Sequence, residues 1–172
     1  MSVFNGIQLI IPDVISEQIA GDACPQGFGC WYPNQQQYFS SKFPHSLQDP
    51  QIPIHLKEFH VVILAAKTWG HLWAGKQIQI FCDNDSVCDV ITHLKPKDEK
   101  MQVYLREFLY WVCFYNFSPI VSKIATKEND VADFLSRNFD RKDATSFFTR
   151  EKLPSQTLID ISDSDFSFTA DW

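Results

Sequence analysis

The chain has 172 residues, 45% of them hydrophobic and 21% charged, which suits one globular domain with a sizeable core and excludes a disordered or fibrous chain. The formal net charge is −6, an unfavourable balance for a protein that grips phosphates by lysine and arginine alone. Four of the acids, Asp160, Asp163, Asp165 and Asp171, follow Leu153 where no Lys or Arg occurs, and the rest of the chain carries only −2. Because cations bound among acids reverse the local sign, charge alone does not exclude a nucleic-acid partner.

In chain order, a short apolar run from Ile7 to Ile11 stops at Pro12. Gln18 to Asp22 reads as a strand, followed by a loop at Ala23–Gln26. Gly27 to Tyr32 and Gln36 to Lys42 read as two aromatic-rich strands joined at Pro33-Asn34, which completes an antiparallel meander. A loop with three prolines spans Pro44 to Pro53. From Leu56 to Trp73, Phe59, Val62, Ile63, Ala66, Trp69 and Trp73 recur at helical spacing, and Gly75 ends the segment. Gln77 to Asp83 alternates and reads as a strand with Ile78, Ile80 and Cys82 on one face. Ser86–Leu94 and Glu99–Tyr115 read as helices separated by a polar break, Lys95–Asp98. Pro119–Ala125 reads as the last strand. Val131–Arg137 reads as a closing helix capped by Asn129 or Asp130.

The order β-β-β-α-β-α-α-β-α implies an α/β fold: a mixed five-stranded sheet, with a three-stranded antiparallel meander plus parallel strands, flanked by helices. The expected division is a flank at 1–17, a domain at 18–139 and an acidic tail at 140–172. Phe166, Phe168 and Trp172 suit a tail that docks on a hydrophobic groove; a solvated linker is the alternative.

Four acids fall at the ends of these elements: Asp22, Glu58, Asp83 and Asp133. Each alone has an ordinary reading as a turn former, a cap or an answer to a helix dipole. If the first and fourth strands are parallel neighbours, Asp22 and Asp83 meet at one edge, and helix starts can bring in Glu58 and Asp133. Such a cluster repels itself unless cations sit within it. All-oxygen ligands select hard ions such as Mg²⁺ or Mn²⁺. Two such ions ~4 Å apart are suited to in-line attack on a phosphodiester.

Five cysteines, Cys24, Cys30, Cys82, Cys88 and Cys113, form no CxxC pair. Their odd number and the lack of a secretory leader lead us to expect reduced thiols and an intracellular protein. Cys24/Cys30 and Cys82/Cys88 share a spacing wider than structural zinc pairs use, so buried packing is the preferred reading. His55, His60, His71 and His93 are read as surface or packing residues. Phe108, Trp111 and Tyr115 are read as core.

Several blocks carry a resemblance. Gly21-Asp22-Ala23-Cys24-Pro25-Gln26-Gly27-Phe28-Gly29, His55-Leu56-Lys57-Glu58-Phe59, Phe81-Cys82-Asp83-Asn84 and Lys127 through Arg137, ending Asp133-Phe134-Leu135-Ser136-Arg137, resemble in collinear order the ribonuclease H domains of retroelement reverse transcriptases. The DIRS-like retrotransposons, which integrate by a tyrosine recombinase, are the group most similar, with flanks resembling Phe4-Asn5-Gly6 and the segment Phe166–Trp172. The resemblance implies a ribonuclease H-like fold and an endonuclease that cuts the RNA strand of RNA–DNA hybrids. Asp22, Glu58, Asp83 and Asp133 would hold two Mg²⁺, with Mn²⁺ as substitute. Pro25, Gln26 and Gly27, with Asn84, would contact the hybrid. It also implies a polymerase domain as neighbour in a parent polyprotein, of which residues 1–17 would be the connection, and a monomer. One departure stands out. The family's His-Ile-Pro-Gly before the closing block is Lys123-Ile124-Ala125-Thr126 here, which together with the acidic balance keeps open a catalytically inactive or domesticated scaffold module.

Overall fold

The computed structural model describes residues 15–169. The apolar run at Ile7–Ile11, the Phe4-Asn5-Gly6 flank and Trp172 lie outside them. The sheet is built from β1 (Ile15–Ala23), β2 (Gly27–Tyr32), β3 (Gln37–Lys42), β4 (Gln77–Cys82), β5 (Ser118–Lys123) and β6 (Thr157–Leu158). The helices are α1 (Ile54–Trp69), α2 (Asp85–His93), α3 (Glu99–Tyr115), α4 (Asp130–Arg137) and α5 (Arg141–Arg150).

The strand order is β5-β4-β1-β2-β3-β6. β1, β2 and β3 form the antiparallel meander, while β4 and β5 add in parallel beside β1. The expected mixed α/β fold is therefore present, with six strands among the described residues where the sequence implied five. The extra strand is the two-residue β6, parallel to β3 at Gln37 and Tyr38, too short to leave an alternation in the sequence.

Alternation along β2 sorts the two faces. Phe28, Cys30 and Tyr32 enter the main core with α1 and α3. Gly27, Gly29 and Trp31 face the other way, where Leu135, Ala144, Phe147 and Phe148 form a second, smaller core with Tyr38. Helix α1 is the central buried element, with Phe59, Ile63, Leu64, Ala65 and Ala66 fully enclosed. It ends at Trp69, four residues before the expected Trp73. Gly70 begins a tight 3-10 turn there, and a Cβ at Gly70 would lie 2.2 Å from the Tyr115 ring.

Residues 140–169 pack on the rest of the chain. Asp140 caps α5 by accepting from the Lys142 N–H. After β6 the chain crosses to the α1/α3 face. There Phe166 meets Phe28, Phe43 and His60, and Phe168 meets His60 and Tyr104. Lys67 Nζ donates to the carbonyls of Asp165 and Ser167. Thr169 donates from its backbone N–H and its hydroxyl to Glu107 Oε2, while Trp111 Nε1 donates to Glu107 Oε1. Residues 165–169 thus lie against α1 and α3.

Candidate metal and nuclease centre

Asp22 lies near the end of β1, opposite Gly29 of β2. The parallel pairing of Ala20 with Phe81, continued by two residues, sets Asp22 alongside Asp83. Glu58 projects from the second turn of α1, which starts behind Pro53 without a side-chain cap. Asp133 stands in the first turn of α4. The approach of α4 to the sheet depends on Gly29. A Cβ there would lie 2.4 Å from Leu135 Cβ and 2.7 Å from the Ser136 nitrogen, so only a bare backbone lets the helix seat on β2.

Carboxylate oxygens of Glu58 and Asp83, with Cys82 Sγ, all lie within 4.8 Å of one another. Asp22 is 3% and Glu58 5% exposed, and Asp22 Oδ2 and Glu58 Oε2 are buried without a hydrogen-bond partner. Burial drives Asp22 up to about 6, helped by Asp83 and Asp133 and opposed by the Ser136 hydroxyl and Arg137. Burial drives Glu58 up to about 9, reinforced by the charges of Asp22 and Asp83. The four acids thus form one electrostatic unit. Asp133 sits at its rim, bonded to Arg137 at 2.7 Å.

These residues fit a divalent cation. Two buried carboxyl groups with orphaned oxygens, facing a third acid, carry a desolvation cost that a cation among them would offset. Hard oxygen donors would favour Mg²⁺ or Mn²⁺.

The residues expected to touch substrate have varied surroundings. Pro25 and Gln26 are exposed, in a loop pinned from beneath by Lys57 Nζ donating to the Pro25 carbonyl at 2.8 Å. Gly27 is buried, and its N–H is engaged by Cys24 Sγ. The Asn84 side-chain oxygen accepts from the N–H groups of Ser86 and Val87, capping α2. Asn129 begins α4 as expected, but its side chain makes no cap. Its Nδ2 donates instead to the Gly21 carbonyl at 3.2 Å, tying the start of α4 to β1 next to Asp22.

Where the resembled family has His-Ile-Pro-Gly, β5 ends at Lys123, and Ile124 N–H still donates to the Cys82 carbonyl. The Ala125 carbonyl then accepts from Glu128, so a tight turn reaches α4 without Pro or Gly. Lys123 is exposed and pairs with Asp85 at 2.7 Å. Two features were missed at the sequence level. Arg137 covers Asp133 one helical turn away, a legible i,i+4 pair. Cys82 Sγ reaches the acids from the residue before Asp83, which strand alternation had assigned to the core alone.

No family model and no curated protein matches the sequence. Among solved structures, the chain is similar to the N-terminal RNase H domain of rv2228c from Mycobacterium tuberculosis, solved as a fusion with maltose-binding protein. The TM-score is 0.52 and the identity 15%, covering 80% of this chain and 99% of that one. The chain has a ribonuclease H-like fold. Among the described residues no helix is long and apolar enough to cross a membrane.

Proposed function

We propose that this chain is a metal-dependent endoribonuclease that cuts the RNA strand of RNA–DNA hybrids. The observation that carries the proposal is the pair of buried carboxyl groups, Asp22 and Glu58, each with an orphaned oxygen and both coupled to Asp83. On a ribonuclease H-like fold, that arrangement carries a desolvation cost for ionising the carboxyl groups, which a divalent cation would offset.

Asp22, Glu58 and Asp83 would hold two Mg²⁺, or Mn²⁺ in its place, with Asp133 completing the set once Arg137 swings away. The ions would supply an activated water and charge neutralisation at the leaving 3′-oxygen. The protein's own part is to place the carboxylates and keep them from full solvation, so that they are poorly satisfied until a cation arrives. Pro25 and Gln26 are the exposed loop positions for hybrid contact, and a contact to a 2′-hydroxyl would tell RNA from DNA. Lys123 and Arg137 are exposed cations, paired with Asp85 and Asp133, and would meet phosphates of a bound hybrid. We further propose that the domain derives from a DIRS-like retrotransposon reverse transcriptase, with a polymerase domain as its natural neighbour.

The second reading is a scaffold module that has lost catalysis. The observation favouring it is the Arg137 guanidinium on Asp133, which places a side-chain cation on the fourth acid.

Cleavage of a labelled RNA–DNA hybrid with Mg²⁺ or Mn²⁺ tests the proposal, with wild type beside Asp83→Asn. Cutting of the RNA strand by wild type only supports it. Wild type that is folded, binds no Mn²⁺ and cuts nothing rejects it in favour of the scaffold.

A further inference from the structure

The last residue of β4 carries a soft donor into a hard-ion site. Cys82 is 1% exposed, and its Sγ lies within 4.8 Å of a carboxylate oxygen of both Glu58 and Asp83. Glu58 is 5% exposed with Oε2 unpartnered, so one oxygen of the trio is buried and available. The nearby Cys88 thiol is directed to the Cys82 carbonyl at 3.6 Å and also bonds with the Cys82 thiol, a contact the ion would displace.

Sulfur changes which ions such a trio prefers. Mg²⁺ gains little from a thiolate, whereas zinc-class ions bind one strongly. A zinc–sulfur bond of ~2.3 Å and zinc–oxygen bonds of ~2.0–2.2 Å set donors ~3.5 Å apart, so from a trio within 4.8 Å occupation needs an inward shift of at most about an ångström. That is within reach of Asp83, just past the end of β4, and of the Glu58 side chain.

We propose that Glu58, Cys82 and Asp83 form a binding site for thiophilic divalent cations, of the zinc and cadmium class, which overlaps the hard-ion site and blocks it. On binding, the metal–sulfur bond forms as the Cys82 S–H bond breaks, and the proton leaves to solvent. Such an ion takes two of the four carboxylates with it, so the nuclease would stop at concentrations of zinc-class ion far below those of Mg²⁺. The ion-binding half stands on this geometry alone; only the inhibitory half rests on the nuclease reading above.

The test is titration of the full chain with Cd²⁺, followed in the ultraviolet charge-transfer band of a cadmium thiolate. Cys82→Ser, Cys88→Ser and Cys24→Ser are run in parallel, with Mn²⁺ affinity measured on each. The expected result is a band in wild type, Cys88→Ser and Cys24→Ser, and its loss in Cys82→Ser. Cadmium affinity in Cys82→Ser should fall at least tenfold, with Mn²⁺ affinity within about twofold. A band that survives Cys82→Ser, or no band in wild type, overturns the proposal. If Cys82→Ser does not fold, cadmium NMR of the wild type decides: a resonance in the mixed sulfur–oxygen range supports the site, and one in the all-oxygen range rejects it. A thiolate band in a protein that cuts no hybrid under Mg²⁺ would sink the nuclease reading and leave the cadmium site standing; cutting without a band would do the reverse.

Discussion

Arg137 grips a single oxygen of Asp133 from two nitrogens, Nε at 2.8 Å and Nη2 at 2.7 Å, both on Oδ1. The pair is partly exposed, so its contribution to folding is small, ~0–1 kcal/mol. Its effect on a cation is larger, because a guanidinium and a metal compete for the same carboxylate. Arg137→Gln should tighten Mn²⁺ binding several-fold, on the order of 1 kcal/mol, with little change in the urea midpoint. Calorimetric titration with Mn²⁺ checks this; unchanged affinity would mean that Asp133 takes no part in holding the ion.

Asp22 and Glu58 make stability depend on pH in a defined direction. Both ionise later in the folded metal-free protein, at about 6 and about 9, than at their ordinary 3.8 and 4.5. Between those limits the unfolded chain binds fewer protons than the folded one, so stability is full below pH ~4 and falls as pH rises through 6 and then 9. Denaturant melts in chelator across pH 5 to 9 should show that slope. Glu58→Gln should flatten its alkaline part and stabilise the metal-free protein at pH 8 by roughly a few kcal/mol. Mn²⁺ at a hundred times its dissociation constant should offset part of the loss in wild type, adding ~2.7 kcal/mol.

Gly29 couples packing to the site. A methyl group at this position meets Leu135 and the backbone at Ser136, and neither can turn aside as a side-chain tip would. Gly29→Ala should cost about 1–3 kcal/mol of stability and push α4 outward, taking Asp133 with it. Hybrid cleavage should drop more than tenfold, while Asp22 and Glu58 keep their positions and Mn²⁺ binding survives in weaker form.

The docked C-terminal segment should respond to acid. His60 is enclosed by Phe166, Phe168 and Tyr104, and burial pulls its pKa from 6.5 down to about 4, with Lys67 adding to the effect. The unfolded chain therefore takes up a proton first on acidification. The stability from neutral His60 is complete above pH ~6.5 and is lost as pH falls through 4. Protection from hydrogen exchange across residues 157–169, relative to the intrinsic rate, should fall over that range in wild type and much less in His60→Phe. Phe166→Ala should release the segment at neutral pH and cost about 2 kcal/mol, below the range for a fully enclosed ring.

How much of this was legible in the sequence depends on what each element had to say locally. The meander and β4 show a period of two, and α1 shows a helical period, so the order of elements and the positions of Asp22, Glu58 and Asp83 at their ends could be read. Helix α5 was passed over as acidic tail, although Asp140 as cap and Ala144, Phe147 and Phe148 at helical spacing mark it. Its own charges, Asp140, Arg141, Lys142, Asp143 and Arg150, are mixed in sign, and the acidic stretch begins only after Leu153. β6 is two residues long and owes its existence to the edge of β3, which no local pattern can report. Asn129 looked like a cap because its type and position suit one, but the buried Gly21 carbonyl, 108 residues earlier, competes for its amide.

The Phe166-Ser167-Phe168-Thr169 stretch repeats ring and hydroxyl with a period of two, which raises the question of sliding. A slip that put Ser167 in the place of Thr169 would still offer Glu107 a hydroxyl, but would leave Ser164 where the Phe166 ring fills the groove. Glu107 itself has 0% exposure, so the acceptor of both Thr169 bonds is held inside the fold and does not follow a slip. The rings supply adhesion, and the bonds to Glu107 mark the position at which they rest.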